Sequence, residues 1–151
     1  MKLTYEPAAG EVEVVVRGTL GDPEVPRILA ALQMVGSMQS RLLLRRVGTE
    51  RDYLLEPDKV DYFAAREGRV FARAGGVEYE SKLRLYELEE MLRAHGFLQI
   101  SKSIVVNLHA VRAVEAEFSG NYTALLRDEK TKLTISRSYM RAFRKSILEG
   151  T

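Results

Sequence analysis

Residues 97–114 read Phe-Leu-Gln-Ile-Ser-Lys-Ser-Ile-Val-Val-Asn-Leu-His-Ala-Val-Arg-Ala-Val, and their punctuation decides the fold. Two apolar runs of strand length, Phe97 to Ile100 and Ile104 to Val106, are separated only by Ser101-Lys102-Ser103. Asn107-Leu108-His109 then reads as a turn into a third strand that begins at Val111. The stretch is thus a succession of short strands with a cation, Lys102, between two small hydroxyl residues on an outward-reaching loop. Hydroxyls placed there can donate to phosphate oxygens.

The same alternation of short apolar runs and turn residues continues on both sides. Upstream, strands are expected at Arg41 to Val47, Arg51 to Leu55, Val60 to Ala65, Arg69 to Ala74 and Val77 to Glu80. Pro57-Asp58, Glu67-Gly68 and Gly75-Gly76 supply the turns between them. One helix interrupts, with Leu85, Leu88, Met91 and Leu92 on one face, Glu87, Glu89 and Glu90 on a solvated face, and Gly96 after its C-cap. Downstream, strands are expected at Val111 to Phe118, Tyr122 to Arg127 and Lys132 to Ile135, joined at Gly120-Asn121 and Asp128-Glu129. Ser136 is placed to cap a last helix with a Met140, Phe143 and Ile147 stripe. At the other end, Val12, Val14 and Val16 alternate within a strand over residues 11–17. Asp22 and Pro23 then open a helix that carries Val25, Ile28, Leu29, Leu32 and Val35 and ends near Gly36.

The expected architecture is mainly β with a few helices, preceded by a β-α extension. Residues 1–46 form the extension, and residues 47–151 the principal domain. At 151 residues, with 46% apolar and 29% charged side chains, the chain has the composition of one compact domain plus a short appendage. It has no cysteine, so disulfides, thiolate metal sites and a cysteine nucleophile are excluded. Two histidines, His95 and His109, leave little for a metal cage, and no cofactor is expected. No window approaches 18 apolar residues and the start lacks a signal-peptide profile, so a soluble, cytoplasmic chain without membrane insertion is expected.

Catalytic constellations are missing. There is no Gly-x-Ser-x-Gly elbow, and Gly75-Gly76 lacks the Lys-Ser or Lys-Thr of a phosphate-binding loop. His95 reads as a helix-end residue and His109 as an exposed turn residue. No enzymatic activity and no small-molecule substrate are expected. Cations fall in a more informative pattern. The net charge is only +2, yet residues 95–151 hold 9 basic and 5 acidic side chains, whereas residues 47–94 hold 8 and 11. Arg137 opens the last helix, Arg141, Arg144 and Lys145 continue along it, and Arg66, Arg69 and Arg73 surround a hairpin turn. From charge alone each cluster reads first as a solubilising surface.

The string 97–114 closely resembles the signature of the LytTR-type DNA-binding domain: an aromatic, a short strand, a basic or polar residue before Ser, an apolar run ending in Val-Asn, and a turn into the next strand. Val60-Asp61-Tyr62-Phe63 resembles that family's early strand, Leu85 to Leu92 its internal helix, and Leu133-Thr134-Ile135-Ser136-Arg137-Ser138-Tyr139 its closing segment. These pieces span about residues 47–148 in the family's order. The resemblance implies an elongated fold of stacked small β-sheets that reads DNA through loops instead of a recognition helix. It implies base contacts by Lys102, by Arg137 and by the hairpin holding Arg66 and Arg69, where Gly68 stands near a histidine of some members. Residues 1–46 are too short for a receiver domain, so the chain resembles small standalone members with a strand-helix extension.

The expected function is therefore that of a sequence-specific regulator of transcription, bound to double-stranded DNA and reading the major groove through basic loops. Ser101, Ser103, Ser138, Arg141 and Lys145 are the expected phosphate contacts. Asn107 is expected to tie down its own turn by side-chain to backbone hydrogen bonds. A homodimer is expected, with the N-terminal strand and helix as its contact. Two rival readings are an RNA-binding regulator, in which Tyr122 and Tyr139 would stack on bases, and a protein-interaction module of a signalling complex that uses the Val25 to Val35 stripe.

Overall fold

A computed structural model describes residues 1–7, 10, 13–39 and 41–149, with the backbone alone for residues 33–39 and 149. The chain divides into two compact units, Met1–Gln39 and Ser40–Thr151. The first unit holds one helix, α1 (Glu24–Gln39), whose Glu24 N–H donates to Asp22 Oδ1 at 2.9 Å, as a capping aspartate should. It runs through Gly36 to Gln39. The strand expected over residues 11–17 is not formed at residues 13–17, and residues 11–12 lie outside the described set. The alternation is present, but a strand needs a partner for its backbone groups, and Val14 and Val15 stay exposed.

The second unit takes in the first strand of the main sheet. The strands are β1 (Leu42–Arg46), β2 (Asp52–Leu55), β3 (Tyr62–Arg66), β4 (Arg69–Ala74), β5 (Val77–Ser81), β6 (Phe97–Ser101), β7 (Ile104–Asn107), β8 (Val111–Ala116), β9 (Tyr122–Leu126) and β10 (Lys132–Ile135). Helix α2 (Leu85–Leu92) precedes β6, and α3 (Arg137–Glu149) follows β10. Seven strands join in the order β2-β1-β5-β4-β3-β7-β6, and three in the order β10-β9-β8. All the pairs are antiparallel, as expected for a chain of hairpins.

Turn chemistry sets these registers. Glu67 and Gly68 have φ of 53° and 75°, and Gly75 and Gly76 have φ of 57° and 78°; such consecutive positive values are what two-residue hairpins require. Strand β4 alternates strictly, with Val70, Ala72 and Ala74 inward and Arg69, Phe71 and Arg73 outward. Its inner face joins Phe63, Tyr79, Val105 and the α2 residues Leu88 and Leu92 in one core. There the Phe63 and Phe97 rings lie 5.7 Å apart in a tilted arrangement. A second core is built from Ile100 and Val106 of the main sheet, Ala124, Leu126, Leu133 and Ile135 of the small sheet, and Met140 and Phe143 of α3. Two of the three α3 stripe residues are thus buried, while Ile147 remains exposed.

Candidate nucleic-acid interface

The loop between β6 and β7 carries Lys102, exposed, with Ser103 beside it and Ser101 half-buried. Ser101 Oγ accepts the Ser103 N–H at 3.3 Å, which tightens the turn and leaves the Lys102 side chain outside it. Strand β7 pairs with β3 in the register Ala64↔Ile104, and the Ala65 N–H donates to the Ser103 carbonyl at 2.8 Å. The β6–β7 loop therefore lies at the same end of the sheet as the β3–β4 hairpin, where Arg66 faces Arg69.

Helix α3 begins at this end as well. The Ser136 N–H donates to the Ile100 carbonyl at 2.9 Å, which places Arg137 one residue from a bond to the strand that turns at Lys102. The first helical N–H, that of Arg137, donates to Asn121 Oδ1 at 3.1 Å, so the start of the helix is held by a side chain from the β8–β9 connection. Among the described residues neither Lys102 nor Arg137 lies within 4.0 Å of a carboxylate oxygen, and both are exposed. Ser138, Arg141 and Lys145 are exposed on α3. Arg144 is otherwise engaged: Nη2 donates to Tyr122 Oη at 3.0 Å, with the guanidinium 5.4 Å from the ring centre.

The other two expected base-contact residues reach the same end with their charges already matched. Arg66 Nη2 lies 2.6 Å from Glu78 Oε1, and Arg69 forks onto both oxygens of Glu80 at 2.9 and 2.5 Å. Glu78 and Glu80 project from β5, a neighbour made by the fold, so this pairing is not readable from the hairpin alone.

Asn107 sits fully buried. Its Nδ2 donates to the Val60 carbonyl and its Oδ1 accepts the His109 N–H, each at 3.0 Å. Both ends of the amide are spent inside the protein, as expected of a residue that ties down a turn. The His109 ring lies against Gly96, which takes the left-handed conformation (φ 86°) after α2 and its trailing turn. His95 is exposed in that turn.

Glu89 departs from the expected solvated face: it is half-buried, and its carboxylate accepts the Gln99 N–H of edge strand β6. An edge strand leaves backbone groups unpaired, and here Glu89 takes one and the Ser136 N–H, just before α3, another. Glu87 also has structural work, accepting the Arg84 N–H at 3.1 Å at the start of α2. Among the described residues no group of His, Asp and Glu could hold a metal ion, and no helix is long and apolar enough to cross a membrane.

A family model, the LytTr DNA-binding domain, matches residues 50–148. The chain belongs to the LytTr DNA-binding domain family. The "Sensory transduction protein LytT" of Oceanobacillus iheyensis is 29% identical over 92 residues, covering 59% of this chain and 37% of the relative. The chain therefore spans little more than a third of the length of the curated relative it matches. Among solved structures, a LytTr DNA-binding domain from Bacillus cereus superposes with a TM-score of 0.65 at 22% identity, over 72% of this chain and 96% of that one. That likeness covers the fold. The LytTr match takes in the β6–β7 loop, the β3–β4 hairpin and the start of α3, and it leaves α1 outside.

Proposed function

We propose that this chain is a sequence-specific regulator of transcription that grips duplex DNA with one end of its seven-stranded sheet and the start of α3. Lys102 and Arg137 read base edges in the major groove. A lysine does so as a point charge and an arginine as a planar fork suited to guanine. Ser101, Ser103, Ser138, Arg141 and Lys145 hold the phosphates on either side. One observation carries the reading: the Ser136 to Ile100 backbone bond ties the Arg137 helix to the Lys102 strand, so that two exposed cations without carboxylate partners occupy one end of the unit. Such tips can enter neighbouring stretches of groove together, which a cation on a lone flexible loop does less well. No catalytic step is assigned.

The chain acts as a homodimer in this reading. Helix α1 has only Glu24 and Arg27 as charged residues, and it leaves Leu29 and Leu32 exposed at 46% and 38%. A second copy that covers this stripe would double a modest reading surface. The RNA-binding alternative loses ground to the position of Tyr122, which packs in the second core with its hydroxyl bonded to Arg144.

Selection from a random duplex library followed by competition with single-stranded RNA tests the proposal. The expected result is recovery of a preferred duplex that RNA displaces poorly. Recovery of no preferred duplex, or displacement at equal concentration of RNA, would overturn it.

A further inference from the structure

The outer face of β3, β4 and β5 carries a charge pattern that the DNA-reading set leaves unused. From β4 it presents Arg69, Phe71 and Arg73, and from β5 Glu78 and Glu80, with Phe71 paired to Glu80 and Arg73 to Glu78. Arg66 stands at the hairpin tip, yet its guanidinium folds back along the sheet, 4.2 Å from the centre of the Phe71 ring and onto Glu78. Arg69 lies 5.2 Å from the same ring centre and forks onto Glu80. Arg73 shares Glu78 at 3.6 Å. Three guanidinium groups, two carboxylates and one ring thus form a set that runs back along the outer face from the proposed DNA-binding end.

Fold stability does not account for this arrangement. The two arginine side chains are 56% and 60% exposed, and ion pairs in such surroundings contribute little. What the pairs do control is the availability of the cations. A bidentate carboxylate takes the geometry that a phosphate would take on the same guanidinium. A free arginine beside a reading surface holds any duplex, because phosphate contacts carry no sequence information. The Arg69 hydrogen bond also holds the Glu80 carboxyl below its ordinary range.

We propose that Glu78 and Glu80 determine specificity by withholding Arg66 and Arg69 from the DNA backbone, which leaves recognition to Lys102 and Arg137. The inference rests on the DNA-binding reading above, and it replaces the base contacts that the family resemblance implies for the two hairpin arginines. A carboxylate displaced by phosphate would face the polyanion uncompensated, so exchange is opposed twice, by the broken pair and by repulsion. The gain is in the ratio of specific to non-specific binding, which governs how a regulator distributes over competing sites.

The test uses the full chain, its selected duplex and a scrambled duplex of equal length, with affinities measured across a salt series. Glu80→Gln is expected to tighten binding to the scrambled duplex several-fold, more than to the selected one, and to steepen the salt slope by about 0.9 per released arginine. Glu78→Gln should act in the same direction. Arg69→Ala added to Glu80→Gln should abolish the gain while keeping wild-type affinity for the selected duplex, which also shows that the variant sheet is folded. An unchanged scrambled-duplex affinity in Glu80→Gln, or a gain that persists when Arg69→Ala is added, would overturn the inference while leaving the roles of Lys102 and Arg137 intact. Failure to select any duplex would overturn both.

Discussion

The backbone of Ser136 is bonded to that of Ile100 over 2.9 Å, joining the first turn of α3 to the edge strand of the main sheet just before it bends at Lys102. The proposed recognition of DNA depends on that junction. It turns two cations that lie 35 positions apart in sequence into neighbours at one end of one unit.

The junction depends on the seating of α3. Phe143 is buried against the second core, so Phe143→Ala should cost about 3–5 kcal/mol of stability. Because the same change loosens Arg137, duplex affinity should fall as well, even at temperatures where the variant is folded. Urea unfolding and binding at low temperature measure the two effects; affinity unchanged in a destabilised variant would separate α3 from recognition.

Asn107 makes the opposite prediction. Asn107→Ala leaves the Val60 carbonyl and the His109 N–H without their partners, a loss of about 1–3 kcal/mol. The folded fraction should bind duplex as the wild type does, since the amide is used up inside the protein. Lost binding by fully folded Asn107→Ala would make the residue a DNA contact.

The Asp128 turn carries a pH signature. Thr131 and Lys130 donate to its carboxylate and hold its pKa at about 2, below the ordinary 3.8. A carboxyl with a depressed folded-state pKa adds stability above the unfolded value, and that stability is lost as pH falls through the folded one. Asp128→Ala should therefore be less stable than the wild type near neutral pH, with the difference shrinking between about pH 4 and pH 2. A difference that stays constant over that range would rule out the carboxylate as its source.

The α1 stripe predicts the oligomeric state. Leu29→Asp with Leu32→Asp, introduced in the full chain, should give monomers by light scattering while duplex binding weakens. Dimers that persist in the double variant would move the contact elsewhere.

Much of the fold could be read from local sequence because its signals are local. The hairpins rest on Glu67-Gly68 and Gly75-Gly76, and the alternation of β4 names its own inner face. The exposure of Lys102 and Arg137 is legible because a short loop and a helix start expose whatever they carry. What escaped reading depends on partners supplied by distant segments. Residues 13–17 alternate like a strand but form none in the structure. Glu89 leaves the solvated face because an edge N–H needs an acceptor, and Arg66 and Arg69 are matched because β5 lies beside β4. The first turn of α3 is held by Asn121, sixteen residues upstream.

Duplex affinity of Lys102→Ala and Arg137→Ala, on the selected sequence and on a panel of its single-base variants, tests the central claim most directly. Each variant should lose about 1–3 kcal/mol and become indifferent to the base at one position, a different position for each. Variants that bind the panel as the wild type does, with every base preference intact, would contradict it.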